Sequence, residues 1–167
     1  MFLYGTKWIR ADFHMHTKSD KEFKYVGDVN YFVSNYIDKL EEEEIKLAAI
    51  TNHNKFNLDE YEQLRKAANK KDIMILPGVE LSVKEGRGGI HCLIIFDRKE
   101  WIRGEKDKIN SFLDQVFAGD FDRENANATC NFGLIQVMEI LNSYSTNYFI
   151  ILAHVDDNKG LLHIAFQ

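Results

Sequence analysis

Short apolar runs alternate along the chain with amphipathic segments. The apolar runs have the length of buried strands and cover residues 8–13, 47–51, 73–76, 79–83, 90–96 and 148–153. Apolar residues at helical spacing predict helices over residues 29–45, 57–68, 109–117 and 134–141. Strands that are apolar throughout and alternate with amphipathic helices predict an α/β fold with a mainly parallel, helix-covered sheet, as in an α/β barrel or an open sheet.

The stretches between these elements contain turn and capping residues. Pro77-Gly78 predicts a break between two strands, and residues 85–89 predict a turn. Asn57, followed three residues later by Glu60, predicts an N-cap with a capping box. Residues 119–131 are polar and predict an extended loop. The sequence shows neither a repeat nor a linker, so we expect one domain over residues 1–167.

Composition and charge narrow the class of protein. With 167 residues, 45% of them hydrophobic and 28% charged, the chain is typical of one folded globular domain. Its apolar runs are shorter than a bilayer span, and its N-terminus lacks signal-peptide features, so we expect a cytoplasmic protein. Cys92 and Cys130 fit core thiols in a reducing compartment. The net charge of −5 argues against electrostatic binding of nucleic acid over the whole protein surface. Bound cations would still permit phosphate chemistry at a local site.

Candidate chemistry lies at strand ends. His14, His53, Glu80 and His154 each lie at or just beyond the end of a predicted strand, the place where α/β barrels build active sites. A single histidine in such a position is more often a surface or satisfied core residue, but the joint placement of these residues indicates a metal site. Imidazole and carboxylate ligands together suit Zn, Mn or Fe.

Further candidates lie close to these residues in the sequence. His16 follows His14 by two residues, so both side chains are expected on one side of extended backbone, and His91 lies inside a strand where it could aim inward. Asp20 and Glu22 lie in the following loop, where simple solvation is the alternative. No nucleotide-binding glycine motif or nucleophile elbow is present, and residues 86–89 fit a hairpin turn better than a phosphate loop.

These residues occur in five ordered motifs. They are Asp12-Phe13-His14-Met15-His16-Thr17, Ala49-Ile50-Thr51-Asn52-His53-Asn54, Pro77-Gly78-Val79-Glu80, Gly89-Ile90-His91-Cys92-Leu93 and Leu152-Ala153-His154-Val155. With them the sequence resembles the PHP (polymerase and histidinol phosphatase) family over almost its whole length. The resemblance implies a distorted (β/α)7 barrel that holds up to three divalent metals and hydrolyses phosphate esters. Within the family the chain looks most like the PHP domains fused to large bacterial ATPases, including those of phage-defence systems.

The resemblance also implies roles for individual residues. His14 and His16 would bind one metal together with a loop ligand, and Glu80 would bridge two metals. His53, His91 and His154 would complete the second and third sites, with hydroxide activated by the metals as the nucleophile. The loop ligand is open between Asp20, which matches the family's Ser-Asp pattern with one residue deleted, and Glu22, which matches by distance from His14; we prefer Asp20.

Two departures from the family pattern leave alternatives open. Asn52 stands where the family usually has aspartate, and the family's last motif, Asp-x-His, has no counterpart after His154. We therefore expect a barrel incomplete at its C-terminus, with the alternative that this chain is the N-terminal part of a larger protein. The first functional hypothesis is a phosphoesterase acting on DNA or nucleotides. The second is a non-catalytic PHP module that binds metal or docks an ATPase partner, and the third is a small-molecule phosphatase of the histidinol phosphate type.

Overall fold

The computed structural model describes residues 8–85, 89–104, 106–120, 122–125 and 127–155. Its strands are β1 (Arg10–Met15), β2 (Ile45–Ile50), β3 (Met74–Val83), β4 (Ile90–Phe96), β5 (Ile102–Arg103), β6 (Lys106–Asp107) and β7 (Tyr148–Leu152). Its helices are α1 (Phe32–Glu42), α2 (Leu58–Asn69), α3 (Arg98–Trp101), α4 (Lys108–Val116) and α5 (Leu134–Tyr144). Across these described ranges, no helix has the length and apolar character that a bilayer span requires.

Within the described part of the chain, five strands form one curled sheet in the order β1-β2-β3-β4-β7, and β5 pairs with β6 in a separate hairpin. The sheet curls so far that Phe13 of β1 meets Phe149 of β7 edge to face, with ring centroids 5.8 Å apart. The described strands and helices therefore form a mixed α/β half-barrel. The predicted (β/α)7 barrel is not confirmed.

The prediction of a mainly parallel sheet is wrong for half of this sheet. β1 pairs with β2 and β2 with β3 in parallel, but β3 pairs with β4 and β4 with β7 in antiparallel fashion. The physical reason is the connection between β3 and β4. It spans residues 84–89 only, whereas a parallel crossover needs about a dozen residues or more. The middle of this predicted turn, residues 86–88, lies outside the described residues.

The predicted break at Pro77-Gly78 is also wrong, because β3 continues through both residues. Pro77 is the last residue of β3 that pairs with β2, and pairing with β4 begins at Gly78. The missing amide hydrogen of Pro77 therefore falls where β3 changes its partner. A Cβ at Gly78 would lie 2.9 Å from Thr51 Cγ2 and 3.0 Å from Ile94 O, so glycine permits this close approach of strands.

The two faces of the sheet carry different residues. One face packs against the helices in the main apolar core, which includes Ile50, Val79 and Ile94. The opposite, concave face carries a smaller apolar cluster with Ala49, Leu93 and Ile95. Because side chains alternate along a strand, Glu80 lies on the concave side of β3, and His91 shares the concave side of β4 with Leu93.

The helix predictions are confirmed with shifted ends. The helix predicted over residues 29–45 is a short 3-10 turn followed by α1, and Glu44, with a left-handed φ of 57°, reverses the chain before β2. Asn57 caps α2 by accepting a hydrogen bond from Glu60 N at 3.0 Å. Cys92 and Cys130 are buried, as expected for core thiols. The described residues of the 119–131 segment contain no helix or strand, in agreement with the predicted loop.

Candidate metal centre

Glu80 is the centre of the candidate site. Its side chain is fully buried on the concave face of β3, and five histidine rings surround its carboxylate. Glu80 Oε2 lies 2.8 Å from His14 Nε2, 3.1 Å from His53 Nε2 and 3.4 Å from His16 Nε2. Glu80 Oε1 lies 2.8 Å from His91 Nδ1 and 3.6 Å from His154 Nε2. The structure thus brings together residues from five separate stretches of sequence.

An irregularity at the end of β1 directs His14 and His16 toward Glu80. The pairing register with β2 shifts between Asp12 and Met15, and Asp12 Oδ1 accepts a hydrogen bond from His14 N at 3.0 Å. Thr51 fixes the end of this strand, because its N–H donates to Met15 O at 2.8 Å and its hydroxyl accepts from Met15 N at 3.1 Å. The rings of His14 and His16 therefore both contact the Glu80 carboxylate.

Backbone pairing beyond the end of β2 places His53. Glu80 N donates to Asn52 O at 3.1 Å, and Asn54 N donates to Glu80 O at 2.8 Å, so His53 lies directly beside Glu80. Asn54 has a left-handed φ of 48°, which asparagine tolerates better than most residues, and its Oδ1 accepts a hydrogen bond from Ser82 N at 2.9 Å. These hydrogen bonds extend the pairing of the sheet beyond the end of β2 and hold His53 next to Glu80.

His91 and His154 enter the site from the antiparallel half of the sheet. Because β4 runs antiparallel to β3, the start of β4 and not its end lies near Glu80. His91, the second residue of β4, pairs in register with Ser82. The chain after β7 is held by Ala153 N, which donates to His91 O at 3.0 Å. His154 follows with a left-handed φ of 49°, a region that histidine adopts more often than most residues, and its Nε2 lies 3.6 Å from Glu80 Oε1.

Asp20 forms hydrogen bonds with two of the histidine rings, on the side of each ring away from Glu80. Its side chain is buried, and Oδ2 accepts hydrogen bonds from His16 Nδ1 at 2.8 Å, His53 Nδ1 at 3.0 Å and His53 N at 2.7 Å. Glu22 is different, because its side chain is 55% exposed and approaches only His53 Nε2, at 4.0 Å. The loop carboxylate in contact with the cluster is therefore Asp20.

The pKa values of these groups reflect their mutual contacts. Burial raises the pKa of Glu80, but hydrogen bonds from His14 and His91 more than offset this and hold it well below its usual range. Burial likewise raises the pKa of Asp20, but hydrogen bonds from His16 and His53 lower it further than burial raises it. Burial lowers the pKa of His53, yet the hydrogen bond to Asp20 and the charge of Glu80 leave it raised. Both carboxylates are therefore ionised.

The protonation pattern that follows suits a bound cation. Since ionised Asp20 can only accept, His16 and His53 carry a hydrogen on Nδ1, and their Nε2 atoms are the ring nitrogens that face Glu80. Lone pairs facing a carboxylate repel it unless a proton or a metal ion lies between them. Two groups have all their ligand atoms within 4.8 Å of one another: His14, Glu80 and His154, and His16, His53 and Glu80. The cluster could thus bind metal ions, with Glu80 common to both groups.

A pocket of about 320 Å³ opens beside this cluster. The segment after α4 helps to form it, because Lys55 Nζ lies 2.8 Å from Glu124 Oε2 and Lys21 Nζ lies 2.9 Å from Asp122 Oδ1. The pocket is lined by Asp20, Lys21, Glu22, His53, Lys55, Glu124 and Asn125. No local sequence pattern marks these two lysines, because their acidic partners lie far along the chain.

The candidate residues named from the sequence are therefore close together in space. His14, His16, His53, His91 and His154 contact Glu80, and Asp20 contacts two of these rings. The predicted pairing of His14 with His16 on one metal stays a prediction, and the two compact groups divide these histidines between them. The sixth histidine, His163, lies outside the described residues.

Comparisons with known proteins support the fold. No family model matches the sequence, and no curated protein matches it. Similar solved structures include a protein from Bifidobacterium adolescentis assigned as a metal-dependent phosphoesterase, with 12% identity and a TM-score of 0.54 over 89% of this chain and 68% of that one. Another is an amidohydrolase from Chromobacterium violaceum with bound sulfate and no metal, with 21% identity and a TM-score of 0.45 over 66% of this chain.

The chain spans only 34% of the length of that amidohydrolase. At 12% identity, the likeness to the Bifidobacterium protein shows a shared fold and does not by itself assign an activity to this chain. The structure therefore establishes a mixed α/β half-barrel with that fold, and on its concave face a cluster of histidines and one glutamate that could bind metal ions.

Proposed function

We propose that this chain is a metal-dependent phosphoesterase domain of the PHP type that hydrolyses phosphate esters of nucleotides or nucleic acid. The observation that carries the proposal is the convergence of five imidazole rings on the fully buried carboxylate of Glu80. The shared fold with a protein assigned as a metal-dependent phosphoesterase supports it, as does the resemblance of the five sequence motifs to the PHP family.

The two compact groups are the proposed metal sites. His14 and His154 would hold one ion, His16 and His53 would hold another, and Glu80 would bind both. A third ion, with His91 among its ligands, stays a prediction from the resemblance. Divalent ions bound here would supply Lewis-acid polarisation of phosphoryl oxygen and a more acidic bound water. Zn, Mn and Fe suit these ligands best, because imidazole and carboxylate ligands together favour such metals.

Residues of the chain itself prepare this site for a substrate. Asp20 fixes the rings of His16 and His53 in the tautomer whose Nε2 is free to bind an ion. The adjoining pocket offers the ammonium groups of Lys21 and Lys55, which a phosphate ester could engage in place of their partners Asp122 and Glu124. The pocket volume of about 320 Å³ matches a nucleotide-sized ligand or the end of a longer polymer.

Hydrolysis assays on the full-length protein test this proposal. The protein is stripped with a chelator, reloaded separately with Mn, Zn or Fe(II), and incubated with a phosphomonoester, a phosphodiester and single-stranded DNA. We expect hydrolysis that depends on added metal and is lost in His14→Ala, while Glu139→Gln, which changes an exposed carboxylate of α5, remains active. A metal-loaded protein that hydrolyses none of these substrates, or whose rate His14→Ala leaves unchanged, would reject the enzyme hypothesis.

A non-catalytic module is the second candidate, favoured by Asn52 in place of the aspartate that the resemblance implies. In this alternative the cluster binds metal for stability, or the domain docks a partner such as an ATPase. Elemental analysis separates it from the first candidate. Less than one equivalent of metal per chain, together with no turnover, would favour the non-catalytic module.

Substrate choice separates the remaining possibilities. A phosphatase of the histidinol phosphate type would prefer small phosphomonoesters, whereas a nuclease would cleave diesters and DNA. A cytoplasmic location, an ATPase partner and a part in phage defence stay predictions that rest on the sequence analysis and the resemblance.

A further inference from the structure

A buried polar chain lies behind the candidate metal centre. It joins Asn52, Thr17 and Glu60, whose exposed fractions are 2%, 0% and 6%. Thr17 N donates to Asn52 Oδ1 at 2.8 Å, and Asn52 Nδ2 donates to Thr17 Oγ1 at 2.9 Å. The Thr17 hydroxyl is also in close contact with Glu60 Oε1. The three side chains connect the ends of β1 and β2 with the first turn of α2.

The direction of each hydrogen bond in this chain is fixed by its chemistry. The backbone N–H of Thr17 can only donate, so the Asn52 atom that it meets is the carbonyl oxygen, and the other is the amide nitrogen. That nitrogen donates to Thr17 Oγ1, which leaves the single hydroxyl hydrogen of Thr17 for Glu60. Donation therefore runs from Asn52 through Thr17 to Glu60.

Glu60 is buried and only partly hydrogen-bonded. Its Oε2 is buried and has no hydrogen-bond partner among the described residues, and such an atom is destabilising. Glu60 lies in the first turn of α2, where the helix dipole favours an anion and offsets part of that cost. A buried carboxylate with one unpartnered oxygen is unusual enough to call for an explanation beyond the stability of the fold.

The polar chain holds the segments that carry two proposed metal ligands. Thr17 follows His16 directly, and Asn52 precedes His53 directly. The rings of these histidines are stacked, with centroids 4.5 Å apart and planes 15° apart, and both present Nε2 to Glu80. Asn52 O also accepts from Glu80 N at 3.1 Å. We therefore expect a change in how Asn52 and Thr17 pack to displace both rings relative to Glu80.

We propose that Asn52 and Glu60 are a matched pair of positioning residues that, through Thr17, hold His16 and His53 in the stacked arrangement required for metal binding. The inference rests on the proposed function for its metal. It also accounts for asparagine at position 52, because an aspartate there would leave two carboxylates facing Thr17 Oγ1, with one hydrogen to share between them. The amide of Asn52 supplies the donor that a glutamate at position 60 makes necessary.

The test reverses the direction of hydrogen-bond donation between positions 52, 17 and 60. Asn52→Asp places two carboxylates around Thr17 and removes the donor at position 52. In the double variant Asn52→Asp with Glu60→Gln, the amide at position 60 donates to Thr17 and the carboxylate at position 52 accepts. We expect Asn52→Asp to weaken Co²⁺ binding by about tenfold or more, the usual effect of losing a partner of a metal ligand. The double variant should recover most of that loss, and Co²⁺ absorbance measures both.

A readout without metal keeps the proposal separate from the proposed function. Long-range ¹H–¹⁵N spectra of the chelator-treated protein report the tautomers of His16 and His53. These imidazole signals should shift in Asn52→Asp and return in the double variant. If the wild type neither bound Co²⁺ nor hydrolysed esters, the proposed function would fail while this comparison still decided the pairing. Imidazole signals that Asn52→Asp leaves unchanged, or a double variant worse than either single one, would overturn the proposal.

A milder pair of variants covers the case in which Asn52→Asp does not fold. Thr17→Ser keeps the hydroxyl and should keep the wild-type imidazole signals and Co²⁺ affinity, whereas Thr17→Val removes the link between Asn52 and Glu60 and should change both. Equal Co²⁺ affinities and equal imidazole signals in these two variants would contradict a positioning role.

Discussion

Glu80 is the residue on which the candidate metal centre depends most, because both compact groups of ligands contain it. A carboxylate shared by two cations offsets the repulsion between them, so Glu80→Gln should abolish phosphoesterase activity and lower the metal content per chain. Asp20→Asn should leave a measurable fraction of both, since Asp20 contacts the far side of two histidine rings. Activity assays and elemental analysis on the same preparations check this.

Glu139→Gln is the matched control for these two variants, because Glu139 is an exposed carboxylate of α5 that belongs to neither the cluster nor the pocket lining given above. It should retain wild-type activity and metal content. Full activity and full metal occupancy in Glu80→Gln would show that Glu80 does not bridge two metals.

The pKa of His53 predicts how the metal-free protein responds to pH. Burial lowers this pKa, but Asp20 and Glu80 raise it above its ordinary value of 6.5. Stability from a raised pKa is fully present below 6.5 and is lost as the pH rises through the folded-state value. In chelator, the unfolding temperature should therefore fall as the pH rises above 6.5, and His53→Gln should flatten the fall.

With a saturating divalent metal the trend should reverse, because metal binding requires neutral imidazole. Thermal unfolding followed by circular dichroism at several pH values, with and without metal, measures both trends. An unfolding temperature in chelator that rises across this range would contradict the raised pKa of His53.

Sequence reasoning identified His14, His53 and His154 because strand ends can be recognised locally. The placement of Glu80 at a strand end was wrong, because β3 continues from Met74 to Val83 and Glu80 lies inside it.

Sequence reasoning could not find the contacts that orient these residues. Asp20 meets His53 across 33 residues of chain, and Thr17 meets Glu60 across 43, so neither contact leaves a local pattern. The capping-box interpretation of Glu60 was half correct for this reason: Asn57 caps the helix, while the Glu60 side chain contacts Thr17.

Helix α2 matters at the scale of elements, because it carries Glu60 and covers the sheet beside the site. Asn57 caps it and also donates from Nδ2 to Ser19 Oγ at 3.0 Å, which ties the loop containing Asp20 to the helix. Asn57→Ala should lower the free energy of unfolding by about 1 kcal/mol, the usual cost of losing an N-cap.

Urea denaturation measures that cost. The matched control is Gln63→Ala, an exposed position in the interior of the same helix, which should change the stability little. An Asn57→Ala variant as stable as Gln63→Ala would show that the cap does not stabilise the helix.

The antiparallel half of the sheet shows why the pattern of strands alone was insufficient. Apolar runs such as β4 are expected in parallel and in antiparallel buried strands alike, so periodicity does not give strand direction. The short connection after β3 does give it, and the hairpin predicted at residues 86–89 already implied an antiparallel pair. Only this direction brings His91, near the start of β4, beside Glu80.

At the scale of the whole molecule, the described strands form a half-barrel whose concave face holds a buried anionic carboxylate among histidines. A metal ion that binds the folded protein and not the unfolded chain stabilises the fold by mass action. We therefore expect a saturating metal ion to raise the unfolding temperature, with a gain of about 3 kcal/mol at a hundredfold excess over Kd.

Glu80→Gln should show little of that gain, because the variant lacks the carboxylate common to both groups. Thermal unfolding of the two proteins with chelator and with metal makes the comparison. An equal increase in both would place the stabilising ion outside this cluster.

Anomalous diffraction from crystals grown with Zn²⁺, recorded on both sides of the zinc absorption edge, tests the central claim most directly. We expect zinc peaks within coordination distance of the Glu80 carboxylate, with His14 and His154 or His16 and His53 as further ligands. Zinc peaks confined to other parts of the surface, with the Glu80 carboxylate contacted only by protonated histidines, would contradict it.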